Sequence, residues 1–98
     1  KIGVDALKKL ADALKNQPDI TVMVEGHTDD VPVSKKTTAA FEDNWDLSVL
    51  RATEITRILI GEGMDGRRIA AAGRSEYDPV LDGKTPEIRQ KNRRTEII

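Results

Sequence analysis

The 98-residue chain has no cysteine, one histidine and three aromatic residues, and each of these scarcities excludes a class of site. Without cysteine there are no disulfides and no thiolate metal ligands. A zinc site at His27 would need carboxylate or water ligands at its other positions, an unusual set, so we predict that this histidine braces a loop. Three aromatics are too few to expect a platform on which nucleic-acid bases stack. The sequence predicts no metal and no cofactor.

Long apolar runs and an excess of charge of one sign are also missing. A helix that crosses a bilayer needs roughly 18 to 20 consecutive apolar residues. The chain has no such run, so this segment is not expected to insert into a membrane. The 16 basic and 17 acidic residues nearly cancel, and the broad positive field that attracts nucleic acid is therefore not expected. The length suits one modest core, and we predict a single domain over residues 1–98.

Hydrophobic spacing predicts two main helices and a small sheet. Apolar residues recur at helical spacing over residues 4–14, and Pro18 prevents that helix from continuing. Residues 20–26 alternate and are rich in β-branched side chains, which predicts a strand buried mainly on one face. Helical spacing returns over residues 47–60. Two short strands and a short polar helix complete the pattern, at 68–73, 94–98 and 86–92. We predict an α+β fold in which the two main helices pack on one face of a small mixed sheet.

Two local patterns resemble enzyme motifs but lack the context that those motifs require. The stretch "GEGMDG", residues 61–66, matches Gly-x-Gly-x-x-Gly, yet it follows a predicted helix and precedes a predicted strand. The dinucleotide motif follows a strand and opens a helix, so these glycines are interpreted as a helix cap and a turn. Ser75 in "GRSEY" lacks the second glycine of a nucleophile elbow. Ser48 is interpreted as a helix N-cap. No catalytic residue is predicted.

The connection over residues 26–46 contains no periodic pattern, whereas most connections in compact domains have about 4 to 6 residues. Long connections are either surface insertions or carriers of function, and from length alone both interpretations stay open. Polar side chains stand at the two ends of this connection, at His27, Thr28, Asp29, Asp30 and Asn44.

Arg51 lies near the predicted start of the second helix. With Ser48 as N-cap, Arg51 would stand at the third helical position, where a cation opposes the helix dipole but adds to the attraction of free backbone amides for an anion. A start at Asp46 would move Arg51 into the second turn. Two interpretations of the arginine stay open. It forms an internal ion pair with Asp29 or Asp30, or it binds the carboxylate of a zwitterionic ligand whose ammonium binds Asp29.

Four motifs, in this order, carry a resemblance to a known family: "VEGHTDD", "NWDLSVLRA", "RIAAAGRSEYDPV" and "KNRRTEII". From about Val4 to Ile98 the chain resembles the peptidoglycan-binding domain shared by the C-terminal part of OmpA, the Pal lipoprotein and the MotB stator protein of the flagellar motor. The stretch "HTDDVP" and the tryptophan that follows Asn44 are more similar to the MotB-like branch than to OmpA itself.

The resemblance implies a domain that binds the peptide stem of Gram-negative peptidoglycan through meso-diaminopimelate. Asp29 matches the aspartate that binds the ligand's ammonium, and Arg51 matches the arginine that binds its carboxylate. Asn44 matches the asparagine that shapes the pocket, and Thr28 and Arg93 match positions at its rim. The implied role is noncovalent anchoring to the cell wall, in the periplasm, of a protein held in the inner or the outer membrane. Family members lack catalytic machinery.

The sequence also departs from the family pattern. Family members carry a strand before the first helix, and that strand is expected to be missing from this segment. The stretch Val31–Asp43 is longer than in many relatives. Two alternatives of other classes stay open: an amidase-like hydrolase, and a dimerisation or interaction module that forms a homodimer and has no ligand between Asp29 and Arg51.

Overall fold

The computed structural model describes residues 3–32 and 43–98, and residues 33–42 of the predicted long connection lie outside the described residues. The described helices are α1, α2 and α3, and the described strands are β1, β2 and β3. Their bounds are Val4–Leu14, Asn44–Gly61 and Pro86–Asn92 for the helices, and Val22–His27, Ile69–Gly73 and Arg94–Ile97 for the strands. The sheet has the order β2-β1-β3, with β1 parallel to β2 and antiparallel to β3. The predicted α+β fold is confirmed.

One apolar core joins the two long helices to the sheet. Side chains at helical spacing from α1 and α2 meet the inward-facing valines of β1, because alternate residues of a strand point to the same face. The buried members are Leu7, Ala11, Val22, Val24, Ala52, Leu59 and Met64. Within the described residues, no strand precedes α1. None of the helices in the described ranges is long and apolar enough to span a bilayer.

Strand β1 differs from its prediction at both ends. It begins at Val22, and Ile20 lies before it, 40% exposed, with its carbonyl oxygen accepting a hydrogen bond from Arg68. At the other end both faces are buried, because Glu25 and His27 are 3% and 1% exposed on the face opposite to the helices. The prediction of one buried face is wrong there. The partners described below compensate for the burial of Glu25 and of His27 Nε2, whereas His27 Nδ1 is buried without a hydrogen-bond partner among the described residues.

Helix α2 begins five residues earlier than the Ser48 cap would require. Asp43 is the N-cap, and its side chain accepts a hydrogen bond from the backbone amide of Asp46 at 3.0 Å. Ser48 is fully buried within the helix, where its hydroxyl donates to the Trp45 carbonyl oxygen. Arg51 is therefore the eighth residue of α2. Arg51 does not lie among the free amides of the first turn, because those amides belong to residues one turn or more before it.

Two glycines that face each other across the β1–β2 pair let α2 approach the sheet closely. Gly26 and Gly73 are register partners. A Cβ added at Gly26 would lie 2.0 Å from the Ser48 carbonyl oxygen, and one at Gly73 would lie 2.4 Å from the Ser48 hydroxyl. The contact is completed by the Ser48 hydroxyl, which accepts a hydrogen bond from the Ser75 amide at 3.1 Å. The first half of α2 is thus held directly against the end of β1.

The stretch "GEGMDG" forms a helix cap and a turn, as predicted. Gly61 is the last residue of α2, Gly63 has a φ of +112°, and Gly66 opens a short 3₁₀ turn that precedes β2. The amides of Gly63 and Met64 donate to the carbonyl oxygens of Ile60 and Leu59. This pair of bonds satisfies the last turn of a helix and requires a left-handed residue, which glycine adopts without strain.

Candidate functional site

The five residues predicted for the ligand site lie where β1 ends and α2 begins. Thr28 and Asp29 follow the last residue of β1, and Asn44 is the first residue of α2. Arg93 directly precedes β3, whose first residue pairs with His27 in the antiparallel register, so Arg93 arrives beside the same end of the sheet. The side chain of Arg51 reaches this end from α2 and donates to the carbonyl oxygen of His27 at 3.4 Å.

Asp29 is held from two directions. Its Oδ1 accepts a hydrogen bond from the backbone amide of Val31 at 3.0 Å, which closes a turn around the side chain. Its Oδ2 accepts from Nη1 of Arg93 at 2.6 Å, and this contact is also an ion pair. The Asp29 side chain is 10% exposed and that of Arg93 is 42% exposed. The carboxylate is therefore held at both oxygens, and the partly exposed guanidinium of Arg93 covers one of them.

Thr28 and Asn44 brace the backbone beneath Asp29. The Thr28 hydroxyl donates to the Asp29 carbonyl oxygen at 2.9 Å, and its amide donates to the Ser75 carbonyl oxygen. The Asn44 side-chain amide donates to the carbonyl oxygens of Asp29 at 3.3 Å and of Val31 at 3.1 Å. Both side chains are buried. Asn44 thus connects the loop to the start of α2, and Thr28 connects it to the segment that follows β2.

Arg51 has no acidic partner in the described parts of the chain. Within residues 3–32 and 43–98, no carboxylate oxygen lies within 4.0 Å of its guanidinium, and its side chain is partly exposed. Of the two interpretations of Arg51, the internal ion pair with Asp29 or Asp30 is wrong. Asp29 pairs with Arg93 instead, and Asp30 Oδ1 accepts from Nε of Arg89 at 2.8 Å.

The ion pairs of the site leave the Arg51 guanidinium without a carboxylate partner among the described residues. The Arg89 guanidinium bonded to Asp30 holds the pKa of that carboxyl below its ordinary value of 3.8, so Asp30 is charged at neutral pH and committed to Arg89. Asp29 is similarly engaged with Arg93. Among the described side chains of the site, Arg51 is the cation left without a carboxylate. A planar guanidinium in this position suits a carboxylate, which it can bind through two parallel hydrogen bonds.

A buried polar cluster that the sequence analysis did not predict lies on the opposite face of β1. His27 and Glu25 are joined by a hydrogen bond of 3.1 Å between Nε2 and Oε1, and Arg74 Nε lies 3.3 Å from the other oxygen of Glu25. Arg94 pairs with Glu96 and donates to the Asp78 carbonyl oxygen. The alternation of β1 was the available signal, because it places two polar side chains on one face.

Part of this cluster has the composition of a metal site. In the described chain, Glu25, His27 and Asp78 offer ligand atoms within 4.8 Å of one another. The neighbouring guanidiniums of Arg74 and Arg94 already compensate the acidic charge there. A divalent cation would have to displace or repel them, so the donor set is better suited to an internal ion network. His27 contacts Glu25 of its own strand, and its Nε2 lies 3.8 Å from a carboxylate oxygen of Glu96 in β3, so the bracing of a loop stays a prediction.

A shallow depression of about 560 Å³ lies at the other end of the sheet, and the residues of the candidate site do not line it. Its lining includes the start of β1 and the 3₁₀ turn before β2. These residues are Thr21, Val22, Met23, Arg67, Arg68, Ile69, Ala70 and Ile98.

Comparison with known proteins identifies the family. The sequence model of the OmpA family matches residues 3–93. The chain belongs to the OmpA family. The resemblance predicted from the four motifs is confirmed, and the match includes all five residues of the candidate site.

The relatives of this chain include a MotB protein and a peptidoglycan-binding protein. Motility protein B of Bacillus subtilis is 36% identical over 99 residues, covering 100% of this chain and 37% of that protein. The peptidoglycan-binding protein ArfA of Mycobacterium tuberculosis is 36% identical over 94 residues, covering 96% of this chain and 27% of that protein. The chain therefore spans about a third of the length of these relatives.

A solved structure of the same branch has the same fold. The C-terminal domain of Helicobacter pylori MotB superposes with a TM-score of 0.87 at 25% identity, covering 100% of this chain and 75% of that one. The predicted similarity to MotB is confirmed in both sequence and fold.

Proposed function

We propose that this OmpA-family domain binds peptidoglycan noncovalently, through a diaminopimelate-type zwitterion of the stem peptide. In this proposal Arg51 binds the ligand's carboxylate and Asp29 its ammonium. Asn44 and Thr28 hold the loop that presents Asp29, and Arg93 lies at the rim. The domain binds its ligand and does not turn it over.

The observation that carries the proposal is a partly exposed arginine without an acidic partner among the described residues, at the same end of β1 as a fixed carboxylate. Arg51 and Asp29 are connected through one short stretch of backbone, since Arg51 donates to the His27 carbonyl oxygen and Asp29 lies two residues later. A ligand that carries both charges on one carbon atom or a short chain suits such a pair. Charge-assisted hydrogen bonds of this kind are about twice as strong as neutral ones.

The relatives support the partner and the location. ArfA is named a peptidoglycan-binding protein, and the C-terminal domain of MotB has the same fold as this chain. The domain is periplasmic. Because the chain spans about a third of its relatives, the larger protein is part of the proposal: a MotB-like stator subunit or an outer-membrane protein of OmpA type, which this domain anchors to the cell wall.

Co-sedimentation with purified sacculi tests the proposal. The domain should sediment with diaminopimelate-containing sacculi, and free meso-diaminopimelate should release it. Pimelate, which has the same carbon chain and carboxylates but no ammonium groups, should release it poorly. Asp29→Asn should weaken binding while thermal melts show a folded domain, because the amide keeps the shape of the side chain but loses its charge. A domain that stays in the supernatant, or that both competitors release equally, would contradict the zwitterion site.

A further inference from the structure

The contact between Arg93 and Asp29 has a consequence for how a ligand enters. Both oxygens of Asp29 are engaged, one by the Val31 amide and the other by the Arg93 guanidinium at 2.6 Å. Only 10% of the Asp29 side chain is exposed. An ammonium group that is to bind this carboxylate therefore has to approach on the side that Arg93 covers. The guanidinium lies where the ligand's cation would lie.

Arg93 is free to leave this position. It is the C-cap residue of α3, and its side chain is 42% exposed, so the guanidinium is in contact with solvent on its outer side. When Arg93 leaves, its guanidinium is solvated, and the ligand's ammonium takes its place, so the largely buried Asp29 carboxylate is not left unpaired. The Val31 amide belongs to the backbone and stays with Asp29. Removal of Arg93 would open the carboxylate without releasing it from the loop.

We propose that Arg93 is an internal substitute for the ligand's ammonium, and that ligand binding exchanges one cation for the other on Asp29. This inference rests on the proposed function. The exchange of Arg93 for the ligand's ammonium makes the site selective for zwitterions over simple amines. A simple amine replaces one cation by another and leaves two arginines, Arg51 and the displaced Arg93, without a carboxylate. A zwitterion supplies the missing carboxylate together with the ammonium, so amino-acid ends are preferred over amines.

The test compares Arg93→Gln with Arg89→Gln by calorimetry. Arg89 is the matched control, because it makes the analogous pair with the neighbouring Asp30 at 2.8 Å from the same helix. Three probes separate the charges: meso-diaminopimelate, pimelate and the diamine cadaverine. Arg93→Gln should bind diaminopimelate about fivefold tighter, the factor expected from removing a weak competing ion pair. Cadaverine should gain by a similar factor, pimelate should not gain, and Arg89→Gln should behave like the parent domain with all three.

Two further measurements keep the test decisive. Arg93→Lys keeps a cation on Asp29 and should therefore lack the gain in affinity that Arg93→Gln shows. The second measurement is NMR of the Arg93 guanidinium protons in the parent domain, whose signals are assigned by their loss in Arg93→Lys. These protons should be protected from exchange with solvent when the domain is free, and they should lose that protection when diaminopimelate is added. This second readout does not depend on whether Arg93→Gln folds.

The outcomes separate the inference from the proposed function. If the parent binds diaminopimelate and sacculi but Arg93→Gln binds them equally or more weakly, Arg93 contacts the ligand or positions Asp29, and the exchange is wrong while the proposed function stands. Protection of Arg93 that is unchanged by the ligand leads to the same conclusion. A parent domain that binds neither sacculi nor diaminopimelate overturns the proposed function and the exchange with it.

Discussion

Gly26→Ala is expected to be one of the most damaging small substitutions in the chain. The new Cβ would lie 2.0 Å from the Ser48 carbonyl oxygen, 2.9 Å from its carbonyl carbon and 3.3 Å from the Ala52 amide nitrogen. Normal contact requires about 3.5 Å, so α2 and β1 would have to separate by roughly 1.5 Å. The obstructing atoms belong to the backbone of a helix and cannot rotate away as a side chain could. Overpacking typically costs about 1 to 3 kcal/mol, and a backbone obstacle belongs at the upper end of that range.

We therefore expect a loss of about 3 kcal/mol in the free energy of unfolding, or roughly 12 to 24 °C in Tm for a domain of this size. Urea unfolding followed by far-UV circular dichroism measures the loss, and the fluorescence of Trp45 near the start of α2 provides a second probe. Gly61→Ala is the control, because nothing lies within 4 Å of its added Cβ and Gly61 is helical. That variant should match or slightly exceed the parent's stability. A Gly26→Ala domain within about 0.5 kcal/mol of the parent would refute the close contact of α2 with β1.

Two further predictions concern the packing of α2 and the response to acid. Ser48→Ala should cost about 1 to 3 kcal/mol by urea unfolding, since the buried hydroxyl is the acceptor for the Ser75 amide; an unchanged midpoint would show that this amide finds another partner. The Arg67 guanidinium bonded to Asp65 lowers the pKa of that carboxyl from 3.8 to about 2. Because the pKa is lower in the folded state, the pair stabilises the domain above about pH 4, and this contribution is lost as the pH falls towards about 2. Asp65→Asn should flatten the decline in unfolding free energy over that interval, and an identical pH profile for parent and variant would contradict the assignment.

Periodicity predicted most of the elements because it reports which face of a segment is buried. The helices α1 and α3 and the strands β2 and β3 lie where hydrophobic spacing and turn residues placed them. The start of α2 could not be found in the same way. Ser48 is a good N-cap by type, but Asp43 takes that role because Asn44 and Ser48 both make hydrogen bonds to segments far away in sequence. Tertiary contacts overrode a local preference.

In the candidate site, too, the local sequence pattern predicted which residues are involved, whereas their long-range contacts could not be predicted. The family motifs predicted which residues converge at the end of β1, and the residue types indicated that a carboxylate and a guanidinium act together there. Which charges pair could not be predicted, because Asp29 and Arg93 are 64 residues apart and Asp30 and Arg89 are 59 apart. The close approach at Gly26 and Gly73 was also missed, since it depends on the register of two strands beneath a helix.

The affinity of Arg51→Ala for purified sacculi tests the central claim most directly. The variant removes the cation of the candidate site that has no carboxylate partner among the described residues, and Arg57→Ala removes an exposed arginine from the same helix as the control. Binding by Arg51→Ala should fall by about tenfold to a hundredfold, which corresponds to roughly 1.5 to 3 kcal/mol for a charge-assisted pair, while Arg57→Ala should bind as the parent does. Arg51→Lys should recover only part of the loss, because lysine keeps the charge without the planar fork. If a folded Arg51→Ala domain sediments with sacculi as well as the parent and Arg57→Ala do, Arg51 does not bind the ligand and the account is wrong.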